Sequence, residues 1–180
     1  MKKVLLVLLP FLFLCSTLFS QEKSDKEIST FDSFIASQAG AIISIESFDV
    51  TSMKSYGKVI YSEIRKVTVG ELSELFAYFT VSNDYLTYSA SLDWDDFVDL
   101  VNALETLREE SKQDLTGKDV TMKFVSTDNT FVVGWNTYKN KPDWFIRIDR
   151  EPTRIGSLDK ILLTFSELEK KFDEVKFNKK

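Results

Sequence analysis

The stretch Tyr85–Lys112, YLTYSASLDWDDFVDLVNALETLREESK, decides how the rest of the chain is read. Up to Leu92 it alternates like a strand, whose side chains point to opposite faces in turn. From Asp93 onward the apolar residues follow a helical period, with Phe97, Leu100, Val101, Leu104 and Leu107 on one stripe. Asp93 stands where an N-cap is needed, since a carboxylate there accepts from the first unpaired backbone N–H groups. Leu92 and Phe97 flank it as a hydrophobic staple, which sets the angle at which the chain enters the helix. The predicted unit of the fold is therefore a strand running directly into a capped amphipathic helix.

On the N-terminal side of this unit, strands are predicted over Ala41–Val50, Lys58–Val69 and Glu71–Val81, each rich in β-branched and aromatic residues. Met53 to Gly57 and Ser82 to Asp84 read as turns. Leu72–Tyr78 also scores as a helical turn, which competes with the third of these strands. On the C-terminal side, Gln113–Lys118 is a loop, followed by strands over Asp119–Ser126, Thr130–Tyr138 and Asp143–Asp149. Asp128-Asn129 reads as a hairpin connection, Lys139 to Pro142 as a turn, and the segment bounded by Pro152 and Gly156 as a loop. A second helix runs from Ser157, its N-cap, to Lys176, with Leu158, Ile161, Leu162, Phe165, Leu168, Phe172 and Val175 on one stripe. Lys170, Lys171 and Lys176 suit the negative end of its dipole.

This order, ββββα-βββα, predicts an α+β fold of about seven mainly antiparallel strands and two amphipathic helices, arranged as two sheet-plus-helix halves. In element order the chain resembles the Whirly and PUR families, whose units are antiparallel sheets each followed by a helix. Those families bind single-stranded nucleic acid. The net charge of −5 opposes that partner here, because sequence-independent nucleic-acid binding needs a basic surface. The alternative architecture is a single antiparallel sheet with helices on one face.

Residues 1–20 read as a signal peptide: Lys2 and Lys3 precede the apolar run Val4–Phe19, and Ser20 supplies the small residue before a polar stretch. That run falls short of the ~20 residues that span a bilayer, so no stable membrane span is expected after cleavage. Cys15, the only cysteine, follows Phe13 and Leu14 where a lipid-modification site needs a small residue, so lipidation is not expected. Residues 21–40 form a polar lead-in with a short helical turn at Phe31–Ala36, 41–176 a single α+β domain, and 177–180 a frayed tail. The expected location is the periplasm or the cell exterior.

The chain contains no histidine, and cleavage would remove its cysteine. Ser-His-Asp, Cys-His and histidine-ligated zinc chemistry are thereby excluded. The six glycines are scattered and form no phosphate-binding loop, so no cofactor is expected. Asp93, Asp95, Asp96 and Asp99 would suit a cation site or an acid/base pair. The glycine and closing glutamate of a calcium loop are missing, however, and a helix start accounts for all but Asp99, so no metal is expected. Glu46, Asp49, Glu63 and Asp149 lie on predicted strands and would serve a carboxylate-dependent envelope hydrolase if two of them faced each other across a cleft.

Aromatic residues point toward binding. Tyr78, Tyr85 and Tyr88 gather on neighbouring strands with Phe76 and Phe79, and Trp135 and Trp144 lie on strands of the second half. Tyr78, Tyr85, Tyr88, Trp135 and Trp144 are the candidate ligand-binding residues; exposed, they would stack on a sugar or peptide or hold an apolar ligand. The competing reading places most of them in the core under the helices. The function expected is a non-catalytic module binding a protein or a small apolar or sugar ligand. The alternatives are the envelope hydrolase and a carrier of an apolar ligand.

Overall fold

The computed structural model describes residues 29–37 and 40–177. The predicted signal peptide, Cys15, half of the lead-in and the last three residues of the tail lie outside the described residues. In chain order the elements are α1 (Thr30–Ala36), β1 (Ile43–Asp49), β2 (Met53–Ser55), β3 (Lys58–Val69), β4 (Leu72–Ser82), β5 (Thr87–Leu92), α2 (Trp94–Glu110), β6 (Thr121–Val125), β7 (Phe131–Tyr138), β8 (Lys141–Ile148), β9 (Glu151–Arg154) and α3 (Leu158–Phe177).

The strands form two antiparallel sheets, one ordered β1-β3-β4-β5 with β2 also on β3, the other β6-β7-β8-β9. The two-halves arrangement holds, and the single-sheet alternative does not. Two strands form where the sequence predicts a turn and a loop. β1 and β2 lie along one edge of the long strand β3, pairing Asp49 with Glu63 and Met53 with Ile60. Between them Val50 N–H donates to the Ser62 carbonyl at 3.0 Å and Ser62 Oγ to the Thr51 carbonyl at 2.8 Å. The edge is thus interrupted by a short kink rather than ended. The true turn is Tyr56-Gly57, both at positive φ, the geometry that two-residue hairpins favour. The segment bounded by Pro152 and Gly156 is predicted as a loop, yet Pro152 sits on β9 opposite Arg147. β9 closes the sheet on one side, and an edge position is where a residue without an N–H is tolerated. Likewise the turn before β8 is only Lys139-Asn140, both at positive φ, so Lys141 and Pro142 already belong to the strand. β4 is a strand throughout: Leu72–Tyr78 pairs with β3, and the helical reading fails because its alternate residues face different layers.

The strand-to-helix switch forms as predicted. Asp93 has an extended backbone and its Oδ1 accepts the Asp96 N–H at 2.9 Å. Leu92 and Phe97 are both buried, and Leu100, Leu104 and Leu107 continue the buried stripe. At the start of α3, Ser157 Oγ accepts from the Asp159 N–H at 3.2 Å, and Ile161, Phe165, Leu168 and Phe172 are buried.

One core joins the two halves. α3, which follows the second sheet, packs on β2, β3 and β4 of the first, while α2 touches β4 and β5 of the first sheet and β6 of the second. Phe79 of β4 lies 4.6 Å from Phe131 of β7 and 5.8 Å from Phe165 of α3, between ring centroids. The other face of the first sheet carries α1, whose Phe31 meets Phe76 edge-on at 5.3 Å above Val67 and Val69.

Asp96 does more than complement the start of α2. Its carboxylate is buried and accepts the Thr127 N–H at 3.1 Å and Thr127 Oγ at 2.7 Å, tying the β6–β7 connection to the helix. Asp96→Ala is expected to lower stability by about 1.5–3 kcal/mol, the range for hydrogen bonds to a charged group. Urea unfolding of the variant checks this, and a loss under about 0.5 kcal/mol would show the clamp to be idle.

Candidate functional site

A cleft of about 370 Å3 opens where α2 begins, where α3 runs out, and where β3 ends and β4 begins. Its apolar lining is Leu75, Trp94, Phe172 and Val175. Its polar lining is Lys66, Ser73, Glu74, Asp93, Asp95 and Lys176. Register explains the sheet side: Lys66 and Leu75 are cross-strand partners on β3 and β4, on the face that carries α3. Capping explains the helix side, because a chain that enters α2 through Asp93 must place residue 94 at the first helical position, off the buried stripe.

Trp94 is half-buried. Its ring meets Phe172 edge-on at 5.1 Å and lies 6.1 Å from Phe97, and the Lys176 ammonium stands 4.8 Å from its centroid. Lys66 Nζ is 3.0 Å from Glu46 Oε1. Burial pushes the Asp93 carboxyl above its ordinary value of 3.8; the Asp96 and Asp95 N–H groups oppose this, and the Asp96 and Asp95 charges add to it. Asp93 therefore caps the helix while carrying a charge that the fold partly desolvates.

A pH dependence follows from the sign of that shift. A raised folded value means that stability from Asp93 is present at low pH and is lost as pH rises through the folded value. Asp93→Asn keeps a capping side chain and removes the titration. Its stability relative to the native protein is therefore expected to improve as pH rises from below 3.8 to neutral, measured by denaturant unfolding at each pH. Asp93→Ala loses the cap as well and is expected to cost about 1 kcal/mol. A difference between the asparagine variant and the native protein that stays flat with pH would contradict the assignment.

The five aromatic candidates do not assemble into one surface. Trp135 is 1% exposed and its Nε1 donates to the Leu107 carbonyl at 3.0 Å; Trp144 is buried as its cross-strand partner. Both fill the core, so neither presents a face to a ligand. Phe131–Trp135 of β7 is buried on both faces, a pattern that alternation alone does not anticipate. Tyr78 lies on the α1 side of the first sheet, where the Arg65 guanidinium covers its ring at 3.4 Å. Tyr88 packs partly against the core, and Tyr85 is 90% exposed before β5. Tyr78 and Tyr88 do share the lining of a polar hollow of about 290 Å3 with Thr87, Ser89 and Ser91.

The four candidate carboxylates do not all come together. Glu46 pairs with Lys66, and Glu63 with Arg65 at 2.6 Å. Asp49 and Glu63 are cross-strand neighbours that line one hollow of about 410 Å3 with Tyr61 and Tyr78, and Asp149 lines the polar hollow beside β5. Among the described residues no three Asp, Glu, His or Cys side chains gather as metal ligands. Among the same residues no helix is long and apolar enough to cross a membrane.

No family model, curated protein or solved structure matches the chain. Function is read from the cleft itself. Its main residues, Trp94, Leu75, Phe172, Lys66 and Lys176, escape a sequence reading centred on strand aromatics. The one available signal was a tryptophan at the first position of α2, off the apolar stripe.

Proposed function

We propose that this protein is an exported, non-catalytic binding module whose site is the cleft at the start of α2, and that its ligand is small and partly apolar. One observation carries the reading: a half-buried tryptophan, Trp94, lies in a cleft whose other apolar walls, Leu75, Phe172 and Val175, come from a sheet and a second helix. An aromatic side chain left partly accessible beside apolar walls gains by burying further surface, about 25 cal/mol per Å2. The volume falls at the lower end of small-ligand sites. A non-catalytic role is supported by the lack of histidine and by the engagement of Glu46 and Glu63 in ion pairs.

Titration with indole, a neutral aromatic probe, tests the site. The indole N–H resonance of Trp94 is expected to shift while that of Trp135, held by the Leu107 carbonyl, stays fixed. Binding that leaves Trp94 unmoved, or no binding at all, defeats the proposal. Export is tested separately by N-terminal sequencing of the protein recovered from the cell envelope or medium, which is expected to begin at Gln21.

A further inference from the structure

We infer that the ligand of this cleft is a zwitterion with an apolar body, a free α-amino acid or a short peptide carrying an apolar side chain. The inference rests on the site proposed above and adds the charge of its occupant. The apolar walls are bordered by groups of both signs, Lys66 and Lys176 on one hand and Glu74, Asp93 and Asp95 on the other. A neutral ligand would gain only the apolar contact and leave these charges unpaired, so a ligand that pairs them binds more tightly. A cation alone would meet two ammonium groups, and an anion alone three carboxylates. A zwitterion provides each sign with a partner.

The charges come from different elements: Asp93 and Asp95 from the opening of α2, Glu74 from β4, Lys66 from β3 and Lys176 from the last turn of α3. The ligand's ammonium is therefore assigned to Asp93 and Asp95, and its carboxylate to Lys66 and Lys176. Lys66 already donates to Glu46 at 3.0 Å, but an ammonium has three donors and retains capacity for a second acceptor. Lys176 stands over the Trp94 ring, so a cation already favours that place. The side chain of the ligand would lie among Trp94, Leu75, Phe172 and Val175.

Calorimetric titration of the purified protein with phenylalanine and its capped forms tests this, with the Trp94 indole N–H resonance reporting the site. Free L-phenylalanine and the dipeptide Leu-Phe are expected to bind at least about tenfold more tightly than N-acetyl-phenylalanine or phenylalanine amide, and whichever of the two zwitterions binds better identifies the source. Two substitutions should split the effect. Asp95→Asn is expected to weaken the free amino acid and the amide but not the N-acetyl form. Lys66→Gln is expected to weaken the free amino acid and the N-acetyl form but not the amide. This crossed pattern is one that mere destabilisation does not produce. If all forms bind within about twofold of one another while indole still shifts Trp94, the zwitterion is overturned and the apolar site survives. If indole also leaves Trp94 unmoved, both fall together.

Discussion

Phe79→Ala is expected to lose about 3–5 kcal/mol, the range for removing a buried phenylalanine ring. The site lies toward the upper end of that range, because Phe79 is fully buried at the junction of three elements. Its ring touches Phe131 of β7 and Phe165 of α3, with centroids 4.6 and 5.8 Å away. Those neighbours belong to the second sheet and to the helix that crosses the first, so relaxation of one side to fill the void would pull on the other. Domains are stable by only about 5–15 kcal/mol, so the substitution removes a large part of the total. Equilibrium unfolding in urea would show a midpoint far below that of the native protein. A loss under about 1.5 kcal/mol would mean that the two halves close independently of this ring.

Gly134→Ala carries the second large effect, through crowding rather than loss. Gly134 lies in the middle of β7, between Lys123 of β6 and Phe145 of β8. A Cβ at this position would fall 2.7 Å from Lys123 Cβ and 2.8 Å from Lys123 Cα, and closer still to the Met122 carbonyl oxygen. Backbone atoms of a paired strand cannot swing aside as a side-chain tip can, so β6 must shift from β7 or the register must strain. Overpacking costs about 1–3 kcal/mol where side chains adjust, and the backbone contact places this case at about 3 kcal/mol or above. Because β6 also supports α2, hydrogen exchange should show lost protection in β6 and along that helix. Native-like stability with unchanged protection in β6 would show that the strands have room that this geometry denies.

The two sheet-plus-helix halves were legible because their signals are local. Asp93 with its staple, and the stripes from Phe97 to Leu107 and from Ile161 to Phe172, depend only on residues within a few turns of each other. The strands β2 and β9 were not legible, since each exists only by pairing along the edge of a neighbour. Met53–Ser55 and Pro152 look like turn and loop until β3 and β8 supply the partner. Whether the tryptophans face the core or a ligand was not legible for a similar reason. Trp135 and Trp144 lie on strands that the sequence describes well, but which faces are covered depends on where α2 and the other sheet come to rest.

By itself, then, the amino-acid order determined the α+β class, the sequence of its main elements and the capped start of α2. Each of these follows from side-chain periodicity and short-range hydrogen bonding. Only the tertiary structure decided that α3 closes the first sheet, that Asp96 clamps Thr127, and that Lys66, Asp93, Trp94, Phe172 and Lys176 border one cleft. Lys66 and Lys176 stand far apart along the chain, and no local pattern relates them. They meet because burial of two apolar helix stripes against two sheets brings the end of one helix beside the beginning of the other.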